Sequence, residues 1–282
     1  MSDKYLTTAD IFEINCDEVF FGLVKECLAI FPETTKLSAV PVTGRNYTTY
    51  LPSGVQTIPH SHLDASWVCN ANEAEKCEWG KAVAFVMSAR AHLEAAFRLL
   101  TQQTWYGMDA SAWGFSGVTA YLNSTALPNV IDAGGMTSNG CTSVFAVSHQ
   151  HISYSWGNEG RIDYGDVHEM NVATSDGNAE KMYTQKIAMY TGLQVLYPMR
   201  LGRICNLDAS HPLTDDLLDK LLAVFDKEHR PDALYMAKPS LFTLRDTRPQ
   251  EKGQIEPLPT KFCDVPIYVT EAITNTEPVV VK

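Results

Sequence analysis

The sequence has no Cys-x-x-Cys pair, no glycine-rich phosphate cradle and no apolar run long enough to cross a bilayer. Its seven cysteines stand singly at 16, 27, 69, 77, 141, 205 and 263. That scatter argues against a zinc ribbon or a redox motif and fits reduced thiols in a cytosolic compartment. The most apolar stretch, 82–100, carries Arg90, His92, Glu94 and Arg98, whereas a spanning helix needs about 20 mostly apolar residues. Neither G-x-x-x-x-G-K-[ST] nor G-x-G-x-x-G occurs. The N-terminus lacks a basic region followed by an apolar core, so no signal peptide is expected. Without secretion, the glycosylation-like triplets Asn46-Tyr-Thr48 and Asn123-Ser-Thr125 have no meaning. Internal repeats and low-complexity tracts are also missing.

Positive charge is scarce. Lys plus Arg total 22 against 33 Asp plus Glu, a net charge of −11. The first 36 residues hold seven acids and three lysines, so there is no basic arm. Arg245, Arg248 and Lys252 form the densest later basic group. Such a chain is a poor non-specific ligand for nucleic acid, which rewards clustered Lys and Arg.

What is present is ordinary globular material. The 282 residues are 45% hydrophobic and 20% charged, enough for one large domain or two modest ones. Residues 9–31 read as helix in two pieces, with Ile11, Ile14, Phe20, Leu23, Val24 and Leu28 apolar and Pro32 as the stop. Residues 36–64 change texture. β-Branched and aromatic residues are punctuated by Pro41, Gly44, Pro52, Gly54 and Pro59, predicting a projecting hairpin that turns at Leu51–Gly54. Residues 81–105 are the strongest helix, with Val86, Leu93, Phe97 and Leu100 on one face. Arg90, Glu94 and Arg98 fall at i, i+4 and i+8 on another face, as a charge ladder. That rod would be ~35 Å long, and Gly107 ends it.

Residues 141–205 read as β-rich. Thr142–Val147 and Ile152–Trp156 bracket an expected hairpin turn, 157–180 an expected polar loop, and Tyr183–Met189 and Leu193–Tyr197 two further strands. A second helix is expected over 214–229, capped by Thr214 and stopped by Pro231. Short strands follow at Leu234–Met236 and Val265–Thr270. Regular βαβ alternation is absent, so the fold class is α+β.

A search for chemistry finds nothing built. His60-x-His62 and His149-x-His151 each offer two metal ligands, but a metal site needs three or four, and no spacing dictates a third. Gly114-Phe-Ser-Gly117 lacks the nucleophile-elbow spacing. Asp208 and His211 belong to no evident triad. Asp215, Asp216 and Asp219 lie on a helix face, as capping or solvated charges. No catalytic residue, metal or cofactor is expected.

The order of elements resembles the major capsid proteins of tailed bacteriophages with the Hong Kong 97-type fold. Four stretches carry the resemblance. The first is Pro41-Val-Thr-Gly44 with Tyr47–Tyr50 and Leu51-Pro52. The second is the rod helix ending in Thr104-Trp-Tyr-Gly107, followed by Gly114-Phe-Ser-Gly117. The third runs from Asn129-Val-Ile-Asp-Ala-Gly-Gly135 into Thr142–Val147, with Gly192-Leu-Gln-Val195 and Arg203-Ile-Cys-Asn-Leu207. The fourth is Asp232-Ala-Leu-Tyr-Met236, Leu241–Leu244 and Val265–Ile273. Together they span about 40–275 of the chain.

The resemblance implies an N-terminal arm at 1–35, an extended loop at 36–80 and a peripheral domain with a spine helix at 81–124. It further implies an axial domain at 125–235 and C-terminal strands at 236–282 that return to the peripheral domain. It implies self-assembly into pentamers and hexamers of an icosahedral head around double-stranded DNA, with only weak non-specific contact to the genome. The virion is then the location, after assembly in the host bacterial cytoplasm, with no membrane involved. A separate scaffold protein and a portal are expected partners, because no long acidic prosegment precedes residue 10, and a decoration protein is a further one. Lys36 and Lys81 flank the loop but none lies within 37–75, so a loop-borne lysine crosslink is not expected. Inter-subunit contacts are expected at Arg45, Tyr47, Thr49 and Tyr50 in the loop and at Arg90, Glu94 and Arg98 on the spine. Two other readings are weighed: a cytosolic homo-oligomeric enzyme with a metal at one of the histidine pairs, and a phage tail or connector subunit.

Overall fold

The computed structural model describes residues 6–43, 46–51, 54–59, 61–70, 78–107, 114–166, 168–173, 179–248 and 257–282. Three short helices open it: α1 (Thr8–Asn15), α2 (Glu18–Leu28) and α3 (Pro32–Lys36). α1 begins with a reciprocal cap, in which the Thr7 hydroxyl accepts from Asp10 N and the Asp10 carboxylate accepts from Thr7 N. Asp17 caps α2 through Phe20 N at 2.9 Å. Phe12, Phe20, Val24 and Leu28 on these helices, and Phe31 just before α3, are buried in the main core.

Four strands follow: β1 (Ser38–Pro41), β2 (Asn46–Leu51), β3 (Gly54–Pro59) and β4 (Ser61–Asn70). β2 and β3 form the expected hairpin, with Leu51 opposite Gly54 and Tyr47 opposite Ile58. They pair only with each other among the described residues. β1 and β4 are recruited elsewhere, into a six-stranded sheet. In it β1 runs parallel to β7 (Ile152–Trp156), β7 antiparallel to β10 (Ala179–Val195), and β10 antiparallel to β4. Two shorter strands, β8 (Asp163–Tyr164) and β9 (His168–Ala173), also pair with β10.

Between β4 and these strands runs α4 (Glu78–Tyr106), 29 residues long and ~43 Å at 1.5 Å per residue. Ala89, Leu93, Phe97, Leu100, Thr101 and Thr104 form its buried stripe, at the 3.6-residue spacing of an amphipathic helix. Phe97 meets Phe12 of α1 edge-on at 5.6 Å. The second six-stranded sheet runs β13 (Lys261–Phe262), β14 (Val265–Val269), β12 (Ala233–Met236), β6 (Thr142–Val147), β11 (Gly202–Leu207) and β5 (Val130–Asp132). Helices α5 (Asp215–Ala223) and α6 (Lys238–Asp246) accompany it. Leu218, Leu221 and Leu222 of α5, with Leu241 and Leu244 of α6, share a second apolar cluster with Val144, Ile204 and Leu234 of this sheet.

Several expectations are corrected. β6 and β7 do not form a hairpin: β6 joins the second sheet and β7 the first. Each is buried along nearly its whole length. A strand covered on both faces carries no polar side that would reveal its partner. The segment 157–180 is not all loop, because β9 pairs back onto β10 from Ala173 opposite Ala179. The break expected at Tyr190–Gly192 does not occur. β10 is one 17-residue strand whose first part pairs with β9 and whose last five residues pair with β7. The helix expected over 214–229 stops at Ala223, beyond which Asp226 is extended and binds His229 Nδ1 at 2.6 Å. α6 was not anticipated, although Pro239 in its first turn is a helix-start signal. β13 and β14 extend the second sheet, and the chain beyond them touches α4 where Glu271 meets Arg98 and Glu277 meets Tyr106.

Candidate assembly surface and the junction behind it

The expected contact residues divide into two groups. Tyr47, Thr49 and Tyr50 lie on β2, at register positions opposite Ile58, Gln56 and Val55; Arg45 lies outside the described residues. On the spine, Arg90 binds Glu94 at 2.9 Å and reaches Glu26 of α2 at 3.5 Å. Arg98 does not continue the ladder to Glu94; it pairs with Glu271 of the C-terminal tail at 3.0 Å. The spine charges therefore fasten α2 and the tail to α4 within one subunit. All five side chains are at least 30% exposed, where ion pairs contribute little to stability.

The two histidine pairs differ in what surrounds them. His60 lies outside the described residues, and His62 sits on β4 opposite Tyr190. Both ring nitrogens of His149 are engaged, Nδ1 with Asp232 at 2.8 Å and Nε2 with the Tyr235 hydroxyl at 2.9 Å. His151 stacks edge-on against Tyr197 at 5.2 Å. No cluster of three or more His, Cys, Asp or Glu side chains suited to a metal occurs among the described residues. Burial pushes the thiols of Cys16 and Cys205 up to about 12 and that of Cys27 up to about 11, so these are packing cysteines and not nucleophiles.

What the fold builds with most care is the junction between α4 and the second sheet. Gly107 ends α4 with φ +73, and the backbone of Gly117 lies directly against it. A Cβ on Gly117 would collide with Gly107 N and Trp105 O. The glycines of the two sequence motifs are thus one contact, since only glycine lets the chains approach so closely. The Thr119 hydroxyl then donates to Trp105 O at 2.9 Å, closing the crossing.

Beside this crossing lies a buried charge pair that the sequence did not reveal. Arg203 of β11 is 4% exposed and Glu277 of the tail 2%. Arg203 Nη2 donates to Glu277 Oε2 at 2.7 Å, Nη1 to Leu122 O at 2.9 Å and Nε to Ser143 Oγ at 2.9 Å. The Ser143 hydroxyl donates to Glu277 Oε2, and the Tyr106 hydroxyl to Oε1, each at 2.5 Å. Burial and the Glu277 charge push the Tyr106 phenol well above its ordinary range, so it stays a donor. Further along, Val280 N donates to Asn206 Oδ1 at 2.8 Å and Asn206 Nδ2 to Val280 O at 2.9 Å. An amide side chain here imitates a strand neighbour for the tail.

A second pin lies at the edge of the same sheet. Asp208 accepts at Oδ2 from Met136 N, Thr137 N and the Thr137 hydroxyl, and at Oδ1 from Ser210 N and His211 N. His211 Nδ1 lies 3.1 Å from Oδ1. The Thr137 hydroxyl, then these other donors, hold the carboxyl far below its usual range. The arrangement ties 136–137 to 208–211.

Among the described residues, these contacts fasten the tail to β11 and tie 136–137 to 208–211. The described residues form a long helix, two six-stranded sheets and a hairpin whose strands pair only with each other. The fold is that of phage capsid proteins. A structure of bacteriophage Epsilon15 aligns with TM-score 0.58 at 17% identity, covering 85% of this chain and 81% of that one. The procapsid of bacteriophage JBD30 aligns with TM-score 0.50 at 9% identity, covering 90% and 96%. No curated protein matches by sequence. The sequence profile of the family described as major capsid protein GP7 matches residues 74–281. The chain belongs to that family, and it is a capsid-forming protein of the Hong Kong 97-type fold.

Proposed function

We propose that this subunit assembles into pentamers and hexamers that close an icosahedral head around a double-stranded DNA genome. The observation that carries the reading is the β2–β3 hairpin. It is a two-stranded sheet separate from both larger ones, and an isolated hairpin is marginal in water unless it packs against something. Its open strand edges are templates for another chain. Heterologous contacts of this kind, repeated by one sequence, close into rings.

The division of labour follows the same lines. Residues 1–35 act as the N-terminal arm, 36–80 as the extended loop, 81–124 as the peripheral domain with its spine helix and 125–235 as the axial domain, and the C-terminal strands of 236–282 return to the peripheral domain. Arg45, Tyr47, Thr49 and Tyr50 meet a neighbouring copy, and the exposed charges Arg90, Glu94 and Arg98 present the spine to one. A net charge of −11 leaves the genome ungripped. A separate scaffold protein and a portal assist assembly, a decoration protein is a further partner, the virion is the final location, and the protein has no catalytic step.

The test is sedimentation velocity of the full chain against a variant with 46–59 replaced by a short Gly-Ser turn. The full chain is expected to form capsomer-sized or larger particles, and the variant to stay monomeric with unchanged far-ultraviolet circular dichroism apart from the lost hairpin. Unimpaired assembly of the variant would overturn the hairpin's role.

A further inference from the structure

Glu33 is a charge-bearing residue with no charge partner. It sits on α3 and is completely buried. Oε1 accepts from Trp105 Nε1 of α4 at 2.7 Å. Oε2 has no partner of hydrogen-bonding geometry, although the Thr270 hydroxyl, just past β14, stands beside the carboxyl. Two tyrosines also stand near the carboxyl. Tyr154 of β7 is tied to the Thr104 hydroxyl of α4 at 2.7 Å, and Tyr235 of β12 to His149 Nε2. Both phenols are pushed far above their ordinary range, first by burial and next by Glu33 itself. The charged groups lie farther out. Lys36, one turn along α3, stands 5.4 Å over the Tyr268 ring. Asp232 is paired to His149 on the far side of Tyr235.

A carboxylate in this position would have the Trp105 N–H, its own backbone N–H and the Thr270 hydroxyl near it, but no cation. Desolvation therefore favours the neutral acid, and burial raises Glu33 above the ordinary carboxyl value. Released into water, the same carboxyl would ionise near 4.3. The docked state thus holds a proton that the released state gives up. The docking contribution is complete at low pH and is lost as pH rises toward the docked value. The affected elements are α1–α3, because Phe12, Leu28, Phe31 and Leu37 enter the core alongside Glu33.

We propose that Glu33 is a proton-gated latch for the N-terminal helices: the neutral acid holds α1–α3 against the end of the spine, and ionisation loosens them. The latch is a property of the single chain and does not depend on how the subunits assemble.

Hydrogen exchange of the full chain, followed by mass spectrometry from about pH 4.5 to about pH 9 and corrected for the pH dependence of the exchange chemistry, tests it. One released proton predicts that the opening constant of α1–α3 rises up to about tenfold per pH unit, while that of β6, β11 and β12 does not. Glu33→Gln keeps an oxygen for Trp105 and carries no titratable proton, so its α1–α3 opening should be flat with pH. A flat wild-type profile, or a Glu33→Gln profile as steep as wild type, would overturn the proposal. If Glu33→Gln does not fold, Trp105→Phe replaces it. Losing the Trp105 N–H donor makes the carboxylate still costlier, so the steep region must extend to higher pH, and an unmoved upper end overturns the proposal equally.

Discussion

Replacing Glu277 by alanine leaves the Arg203 guanidinium in a site that is 4% exposed, with its carboxylate gone and only Leu122 O and Ser143 Oγ to bind. The Ser143 and Tyr106 hydroxyls lose their acceptor in the same step. Breaking a buried pair from one side costs about 3–5 kcal/mol, because the surviving charge is stranded. The loss should appear in urea titrations of unassembled subunit as a lower midpoint with unchanged slope. Replacing both partners, as Arg203→Met with Glu277→Leu, should recover the part of the loss due to the stranded charge, while the Ser143 and Tyr106 hydroxyls stay without their acceptor. The exposed pair gives the contrast: Arg98→Ala, which removes the contact to Glu271, should cost at most about 1 kcal/mol. A Glu277→Ala midpoint matching that of Arg98→Ala would refute the claim that the tail is bound through a buried charge hub.

Gly117→Ala puts a methyl into the backbone of Gly107 and Trp105, so it should yield insoluble protein, while Gly22→Ala, whose Cβ meets nothing within 4 Å, should leave soluble yield unchanged. Asp208 has a depressed carboxyl in the folded state, so its contribution is present above its unfolded value of about 3.9 and is lost as pH falls below it. Asp208→Asn should therefore be less stable at neutral pH and show a shallower acid decline, and superimposable acid slopes would count against the cage.

The elements that were legible in the sequence are those whose pattern is local. The hairpin turn at Leu51–Gly54, the bounds of β6 and β7, and the spine helix follow from turn chemistry and from apolar spacing at 2 or 3.6 residues. Strand partnership was not legible, because β6 and β7 are buried on both faces and lack the polar alternation that marks a side. The contact residues on the spine were visible as charges, but their partners Glu26 and Glu271 are distant in sequence and nothing local ties them to Arg90 and Arg98. Glu33 and Glu277 were the least visible. Pro32-Glu-Thr-Thr-Lys36 and Thr276-Glu-Pro278 read as solvated surface, and acids are almost never fully buried. The available signal was indirect: a large tryptophan such as Trp105 on the apolar side of a helix needs an acceptor for its N–H once buried.

The account rests on closed assembly, and negative-stain electron microscopy tests that most directly, on the protein expressed alone and together with its neighbouring phage genes. Closed shells, or five- and six-membered rings, are the predicted result. Small discrete oligomers under every condition, or rings of one fixed size with no shell, would contradict it.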